Sequence, residues 1–331
     1  MQRSIPAALA AVLALALSAC GGSAASSTSA GSEGSLTTLK VGTIGIGSDA
    51  AIRLAIDKGY FKEQGLDVKT SVVANPPAGI AAAQSGQLDL TYTPSIPLLN
   101  ALSNNVPLTV VAAADGYSEQ AMASKDMTKV DDTGLVVQKG SPIQRPKDLE
   151  GKSVSVPARK AQLEVTVSKL VKDDGGDPSK VNWMVLDPSS ALQSLNSGRV
   201  DAASLVAPFV SKAISQGDRL LASPGVAFFK AGAVGLWVTG KSSLAKERKA
   251  IEGFRSAIYK ANAYANTHLD EAQQLSAQIT NNPIDVIKAG AVNYWPDKVT
   301  TDDIQRVDDA MAELGYLKEP VKLPSELTLG N

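Results

Sequence analysis

A repeated passage from helix to strand constrains the fold of this chain more than any other feature. Ser85-Gly86-Gln87-Leu88-Asp89 is matched by Ser197-Gly198-Arg199-Val200-Asp201, and each stretch closes a helix and opens a strand. Glycine suits the residue after a helix because the backbone there often turns left-handed. The strands that follow end in comparable loops, Tyr92-Thr93-Pro94-Ser95 and Ala207-Pro208-Phe209. The surrounding elements alternate. Leu39 to Ile46 reads as a strand, followed by Gly47-Ser48-Asp49 and an amphipathic helix through Ala51, Leu54, Ala55 and Lys58. A second strand, Leu66 to Ala74, leads through Asn75-Pro76-Pro77 to a helix stopped at Gly86, and a third covers Leu88 to Thr91. Such alternation implies an α/β fold with parallel, helix-covered sheets, and the echo implies two similar doubly wound lobes.

The strands Gly134 to Lys139 and Ala231 to Thr239 each follow a segment poor in helix signals and open a new run, so they are expected to form a two-strand hinge. Lobe 1 then comprises 39–133 and a return at 233–331 with C-terminal helices, and lobe 2 comprises 134–232. Ile251, Phe254, Ile258 and Ala265 share one helix face, and Ile304, Val307, Met311 and Leu314 share another. Thr301, Asp302 and Asp303 fit the start of that last helix.

The N-terminus reads as a targeting segment. Arg3 precedes an apolar run from Ile5 to Leu17 that is too short for a membrane span, and Leu17-Ser18-Ala19-Cys20 has the form of a lipobox. The expected signal peptide is 1–19, and Cys20 is the expected lipidation site. Residues 20–38 read as a Gly/Ser-rich tether. Multiple acyl chains on Cys20 would hold the protein on the extracytoplasmic face of a membrane. Cys20 is the single cysteine, so no intrachain disulfide is available.

Composition excludes several classes. The 331 residues are 44% hydrophobic and 20% charged, enough for two packed cores. With 32 Lys plus Arg against 33 Asp plus Glu, no basic excess points to nucleic acid. A monomer without cofactor or metal is expected.

In open α/β sheets ligands sit beyond the carboxyl ends of the strands, where helix N-termini point outward. That rule selects Gly47, Ser48, Asp49, Asn75, Tyr92, Thr93, Ser95, Gly116 and Tyr117 from lobe 1. From lobe 2 it selects Ala158, Arg159, Lys160, Gln162, Asp187, Pro208 and Phe209. Arg159 lies just before a helix start, where a bound anion would offset the unfavourable dipole, and it is assigned to anion pairing. Ser48 and Asp49 also fit a capping role, and an Asp49 carboxylate turned into the cleft would favour a ligand with an amine. Tyr92, Tyr117 and Phe209 are assigned to the walls; Trp237, mid-strand, reads as core.

Three stretches carry a family resemblance: Val41-Gly42-Thr43-Ile44-Gly45-Ile46-Gly47, the run from Ala55 to Val68 containing Gly59-Tyr60-Phe61 and Gly65-Leu66-Asp67-Val68, and Pro146-Lys147-Asp148-Leu149-Glu150-Gly151-Lys152. With the lipobox, the chain resembles the nitrate/sulfonate/taurine-type solute-binding proteins of ABC importers, which include binders of the thiamine pyrimidine precursor. The resemblance implies a type II periplasmic-binding-protein fold whose closed form docks on membrane permease subunits driven by a cytoplasmic ATPase. It does not carry over the ligand; the expected solute is a small organic anion, a sulfonate or carboxylate, with an aromatic acid or a pyrimidine as alternatives. Ala158-Arg159-Lys160-Ala161 departs from the Gly/Ser/Thr-rich turn that relatives often carry there.

An enzyme is the first rival, since a thiamine-pyrimidine synthase resembles the chain around Gly59-Tyr60-Phe61. That enzyme family uses a histidine-bearing site and a cysteine-rich motif, whereas His268 and Cys20 are the only residues of their types here. The adjacent pairs Asp131-Asp132, Asp173-Asp174 and Asp308-Asp309 read as surface turns or helix faces, not as acid–base pairs. A ligand-sensing lipoprotein is the second rival, because the same cleft and hinge would serve it.

Overall fold

The computed structural model describes residues 35–330. Their strands form two five-stranded sheets with the same plan. The first has the order β2-β1-β3-β10-β4, from β1 (Thr37–Thr43), β2 (Leu66–Val72), β3 (Leu90–Pro94), β4 (Leu108–Tyr117) and β10 (Gly232–Gly240). The second has the order β7-β6-β8-β5-β9, from β5 (Thr133–Val137), β6 (Ser153–Val156), β7 (Asn182–Val185), β8 (Ala202–Val206) and β9 (Arg219–Ala222). In each sheet three strands run parallel, and one strand that crosses between lobes pairs antiparallel beside them. The signal peptide, Cys20 and most of the expected tether lie outside the described residues. Thr37 and Thr38, at the end of the expected tether, are already in β1, opposite Leu66 and Asp67.

The sequence echo has a structural cause. Gly86 and Gly198 take φ of 76° and 71° past their helices. The aspartates that follow then do the same job: Asp89 accepts from the Lys40 N–H of β1 at 2.8 Å, and Asp201 from the Ser153 N–H of β6 at 2.8 Å. Each carboxylate ties the start of the central strand to the strand beside it. The next loops match as well, since Asn75 and Asp187 both cap helices that begin with proline.

Apolar packing covers both faces of each sheet. Leu39, Leu90, Trp237, Ile251 and Phe254 fill one side of the first lobe, with the Phe61 and Phe254 rings stacked at 5.2 Å. In the second lobe Leu135, Val154 and Val167 lie on one face and Val136, Leu192 and Leu205 on the other. A further cluster passes between lobes, joining Val165 of the second to Ile304, Val307 and Met311 through Val226 and Phe229. The last helix, Thr301–Glu313, is capped by Thr300 rather than Thr301, with Asp303 closing a capping box.

One carboxylate pins the two crossings together. Asp131, just before β5, accepts from Thr133 N (2.9 Å), Thr133 Oγ1 (2.7 Å), Tyr117 Oη (2.9 Å) and Val226 N (2.8 Å). Val226 belongs to the short helix Pro224–Phe229 that returns the chain to β10. A Cβ on Gly225 would overlap the Tyr117 hydroxyl, so only glycine admits this approach. The surface-turn reading of Asp131 therefore fails, because the residue is 2% exposed and fully engaged. Asp308 is likewise buried and accepts from Val321 N at 3.0 Å. Asp131→Ala strands several buried donors and should lower the unfolding free energy by about 3 kcal/mol, read from urea denaturation of the apoprotein.

Candidate functional site

The cavity between the sheets has a volume of about 390 Å³. Its walls come from three sources: the loop after β1 with Tyr92 of β3, the end of β4 and Val130 and Asp132 beyond it; the lobe 2 segments around Gln162 and Pro208; and the C-terminal helices Leu269–Thr280 and Ile284–Ala289 with the loop that follows. Among the sequence-selected residues, Gly47, Ser48, Tyr92, Gly116, Tyr117, Gln162 and Pro208 line it.

Others stand elsewhere for local reasons. Asp49 is buried behind the first loop and accepts from Gly45 N (2.8 Å) and Ile46 N (3.2 Å), which closes that turn. Asn75 caps a helix through Ala78 N. Thr93 is buried and donates to the Pro94 carbonyl at 3.0 Å, and Ser95 is 1% exposed. Phe209 packs against the apolar face of the second lobe.

Arg159 and Lys160 face away from the cavity. Glu164, 2% exposed, accepts from Arg159 Nε at 2.6 Å, from the Lys160 N–H at 2.8 Å and from the Tyr316 hydroxyl at 2.9 Å. A cation before a helix start is thus stabilised by a carboxylate inside the first turn, and no ligand anion is required. The pair belongs to a separate groove shared with Gly315 and Tyr316.

The cavity carries two carboxylates that the strand-end rule did not select. Asp115, in β4, has Oδ2 bonded by Ser48 Oγ (2.7 Å) and Tyr92 Oη (2.9 Å) and Oδ1 bonded by Gly235 N (2.9 Å). A Cβ on Gly235 would overlap Asp115 Oδ1, so β10 leaves this space for the carboxylate. Asp132 opens to the cavity, with the Tyr117 hydroxyl at 3.4 Å from Oδ1. The tyrosines assigned to apolar walls are 4% and 7% exposed, and what they offer the site is hydroxyl groups held by aspartates. No Lys, Arg or His lines the cavity among the described residues.

These carboxylates titrate high. Enclosure by protein pushes Asp132 up to about 7, helped by the charges of Asp131 and Asp115. Burial pushes Asp49 up to about 6 against its backbone N–H bonds, and burial raises Asp115 as well.

The C-terminal wall gave no signal that strand-end reasoning could use. Ser276 donates to the Gly47 carbonyl at 2.7 Å, the Trp295 indole to the Ser48 carbonyl at 2.8 Å, and Gly116 N to Tyr294 O at 3.1 Å. Trp295 is fully buried and braces the first loop from behind.

This architecture, two α/β lobes pinned at a double crossing around a cavity, is the periplasmic-binding-protein fold. It is shared with the periplasmic aliphatic sulphonate binding protein of Escherichia coli (TM-score 0.71, 18% identity, 88% of this chain and 97% of that one). The periplasmic nitrate-binding protein of Synechocystis PCC 6803 has it too (TM-score 0.61, 13% identity, 89% and 93% covered). By sequence, the chain is 26% identical over 281 residues to the taurine-binding periplasmic protein of Escherichia coli strain K12, covering 81% of this chain and 82% of the relative. Residues 48–272 match the family described as NMT1/THI5 like, and the chain belongs to that family.

Two outcomes follow. Arg159→Ala should leave solute affinity within about twofold, yet lower stability by about 2 kcal/mol because buried Glu164 loses its cation. Aspartates whose pKa is raised by folding stabilise fully below their unfolded value near 3.8, and that contribution is lost as pH climbs through about 6 for Asp49 and about 7 for Asp132. The carboxylates with lowered pKa, such as Asp174 at about 2, lose their contribution only in stronger acid. The urea midpoint of the apoprotein should therefore fall between pH 5 and pH 8, and Asp132→Asn should flatten the upper part of that fall.

Proposed function

We propose that this protein is the extracytoplasmic solute-binding subunit of an ABC importer, a non-enzymatic monomer held at the membrane by lipid on Cys20. It captures a small organic solute bearing a sulfonate or carboxylate between lobe 2 (134–232) and lobe 1 (39–133 with 233–331), and delivers it to permease subunits. The observation that carries this reading is the cavity at the strand ends, bounded by both lobes where the chain crosses twice. Its volume is at the small end of ligand pockets, suited to a compact solute. The named binding roles of the relatives support the same reading. The relatives' permeases and extracytoplasmic setting would then apply to this chain.

The solute contacts we assign are the loop at Gly47 and Ser48, the hydroxyls of Tyr92 and Tyr117, and the Gln162 amide. Main-chain N–H groups of Gly47 and Ser48 open a short 3-10 turn that continues into the helix Ala50–Asp57, and N–H groups at such a start have no partner within their own helix. They are the donors available to an acid group here. Gln162 would join from lobe 2 as the lobes close, so that closure is driven by the solute's higher affinity for the closed state.

The test is thermal melting of the apoprotein against taurine, alkanesulfonates, carboxylates, nitrate and pyrimidines, with small-angle scattering on any hit. A solute at about a hundred times its dissociation constant should add ~2.7 kcal/mol and raise the melt by several degrees. A decrease in radius of gyration is expected with it. Absence of any shift across the panel, from protein free of copurified solute, would overturn solute capture.

A further inference from the structure

We propose that Asp115 and Asp132 form a cation subsite in this cleft, so that the captured solute presents a protonated amine or an amidinium to them. The inference rests on solute capture in the interlobe cavity; it is the cavity that marks the ligand site, and the carboxylates specify what the ligand must bring.

The charge inventory comes first. Two carboxylates line the cavity and no basic side chain does, among the described residues. Two basic groups on adjoining segments are committed elsewhere. Lys129, three residues before Asp132, donates from Nζ to the carbonyls of Lys288 (3.2 Å) and Ala289 (2.7 Å), and Arg159 is held by Glu164. The titratable groups around Asp132 are Asp131, Asp115, Tyr117 and Tyr92, with Asp49 behind the first loop and Tyr294 on the C-terminal wall. None of them supplies a positive charge.

The two carboxylates differ in a way that suits one ligand group. Asp115 is fixed by three donors, which leaves room for about one more on a carboxylate with four acceptor sites. Asp132 is exposed to the cavity; besides its own backbone N–H it meets the distant Tyr117 hydroxyl on Oδ1, and its Oδ2 has no side-chain donor among the described residues. The Tyr117 hydroxyl is spent on Asp131 at 2.9 Å. A ligand N–H group would therefore find an oriented acceptor and one open to the cavity together. Charge-assisted bonds to both would remove the repulsion between them, whereas a purely anionic solute would add to it. Asp132 is exposed to the open cleft, yet the surrounding protein and the charges of Asp131 and Asp115 raise its pKa to about 7, which is the behaviour expected of a carboxylate lacking its counter-ion.

The experiment uses the whole lipid-free mature chain and matched probes: taurine against ethanesulfonate, β-alanine against propionate, and 4-aminopyrimidine against pyrimidine. Melting and calorimetry are run at pH 6 and pH 8 in two buffers of different ionisation enthalpy. We expect at least one amino-bearing probe to bind while its counterpart binds at least about tenfold more weakly, the loss typical of a charge-assisted bond. Binding should release protons near pH 7, because a cation favours ionised Asp132. Asp132→Asn should weaken that probe about tenfold while raising the apoprotein melt at pH 8, a gain that a merely structural aspartate would not give. Asp115→Asn supplies a second reading of the affinity loss should the first variant fold poorly.

If the counterparts without the amino group bind as well as the amines, take up protons on binding and keep their affinity in Asp132→Asn, the cation subsite is overturned while solute capture stands. Silence from every probe, together with silence from the wider panel, overturns both.

Discussion

The double crossing between lobes depends on a carboxylate that folding makes expensive to ionise. Asp131 gathers four hydrogen bonds from both connecting segments, and with them it fixes where Tyr117, Thr133 and the helix Pro224–Phe229 stand. The neighbouring residue inherits the consequences. Asp132 enters the cavity because Asp131 is turned into the protein, and its carboxylate is placed beside one that has already taken the available donor. The site is in this sense a by-product of the hinge: the same two-residue step that joins the lobes supplies the cleft with a poorly compensated charge.

The first loop shows the same dependence in the opposite direction. Asp49 bonds the N–H groups of Gly45 and Ile46, Ser276 and Trp295 hold the carbonyls of Gly47 and Ser48, and the Ser48 hydroxyl is anchored on Asp115. Both carbonyls and the hydroxyl of Gly47-Ser48 are thus engaged by lobe 1. Such bracing leaves the loop preorganised, so that binding a solute costs little ordering entropy there. Lobe 2 reaches the cavity mainly through Gln162 and the turn at Ala207 and Pro208, so its contacts are the ones a rigid-body rotation would adjust.

Much of the fold was legible because it is written in local chemistry. The left-handed glycines Gly86 and Gly198, the aspartates that follow them, and the capped proline starts at Asn75 and Asp187 are each set by a few adjacent residues, and they recur because both lobes solve one packing problem. The site was legible only where strand ends supply it. Gly47, Ser48, Tyr92, Tyr117 and Gln162 line the cavity, whereas Arg159 stands in another groove, since its partner Glu164 is five residues on and hidden within a helix pattern. Asp115 lies inside β4, where an aspartate carries no sign of the Ser48, Tyr92 and Gly235 donors brought to it from distant segments. Asp131 and Asp132 looked like a polar turn for the same reason: nothing nearby in the chain reveals that the turn is a hinge. The C-terminal wall depends on helices whose periodicity reports their buried faces and says nothing about the few polar residues they present to the cleft.

An apoprotein with raised carboxylate pKa values has stored free energy in the place where its ligand would act. Ionising Asp132 without a partner weakens the folded state, and a proton is one way to relieve that; a ligand cation is another. Proton and ligand therefore compete for the same carboxylates, and the competition is sharpest near pH 7, where Asp132 is divided between its two forms. Coupling of this kind favours release as well as capture. An acidic local environment would protonate Asp132 and remove one of the two attractions on a bound amine, while the bracing of the first loop through Asp115 and Trp295 would persist. The cleft would then loosen its hold on the solute without dismantling the wall that received it, because the group that titrates near neutrality is the one with the fewest structural bonds.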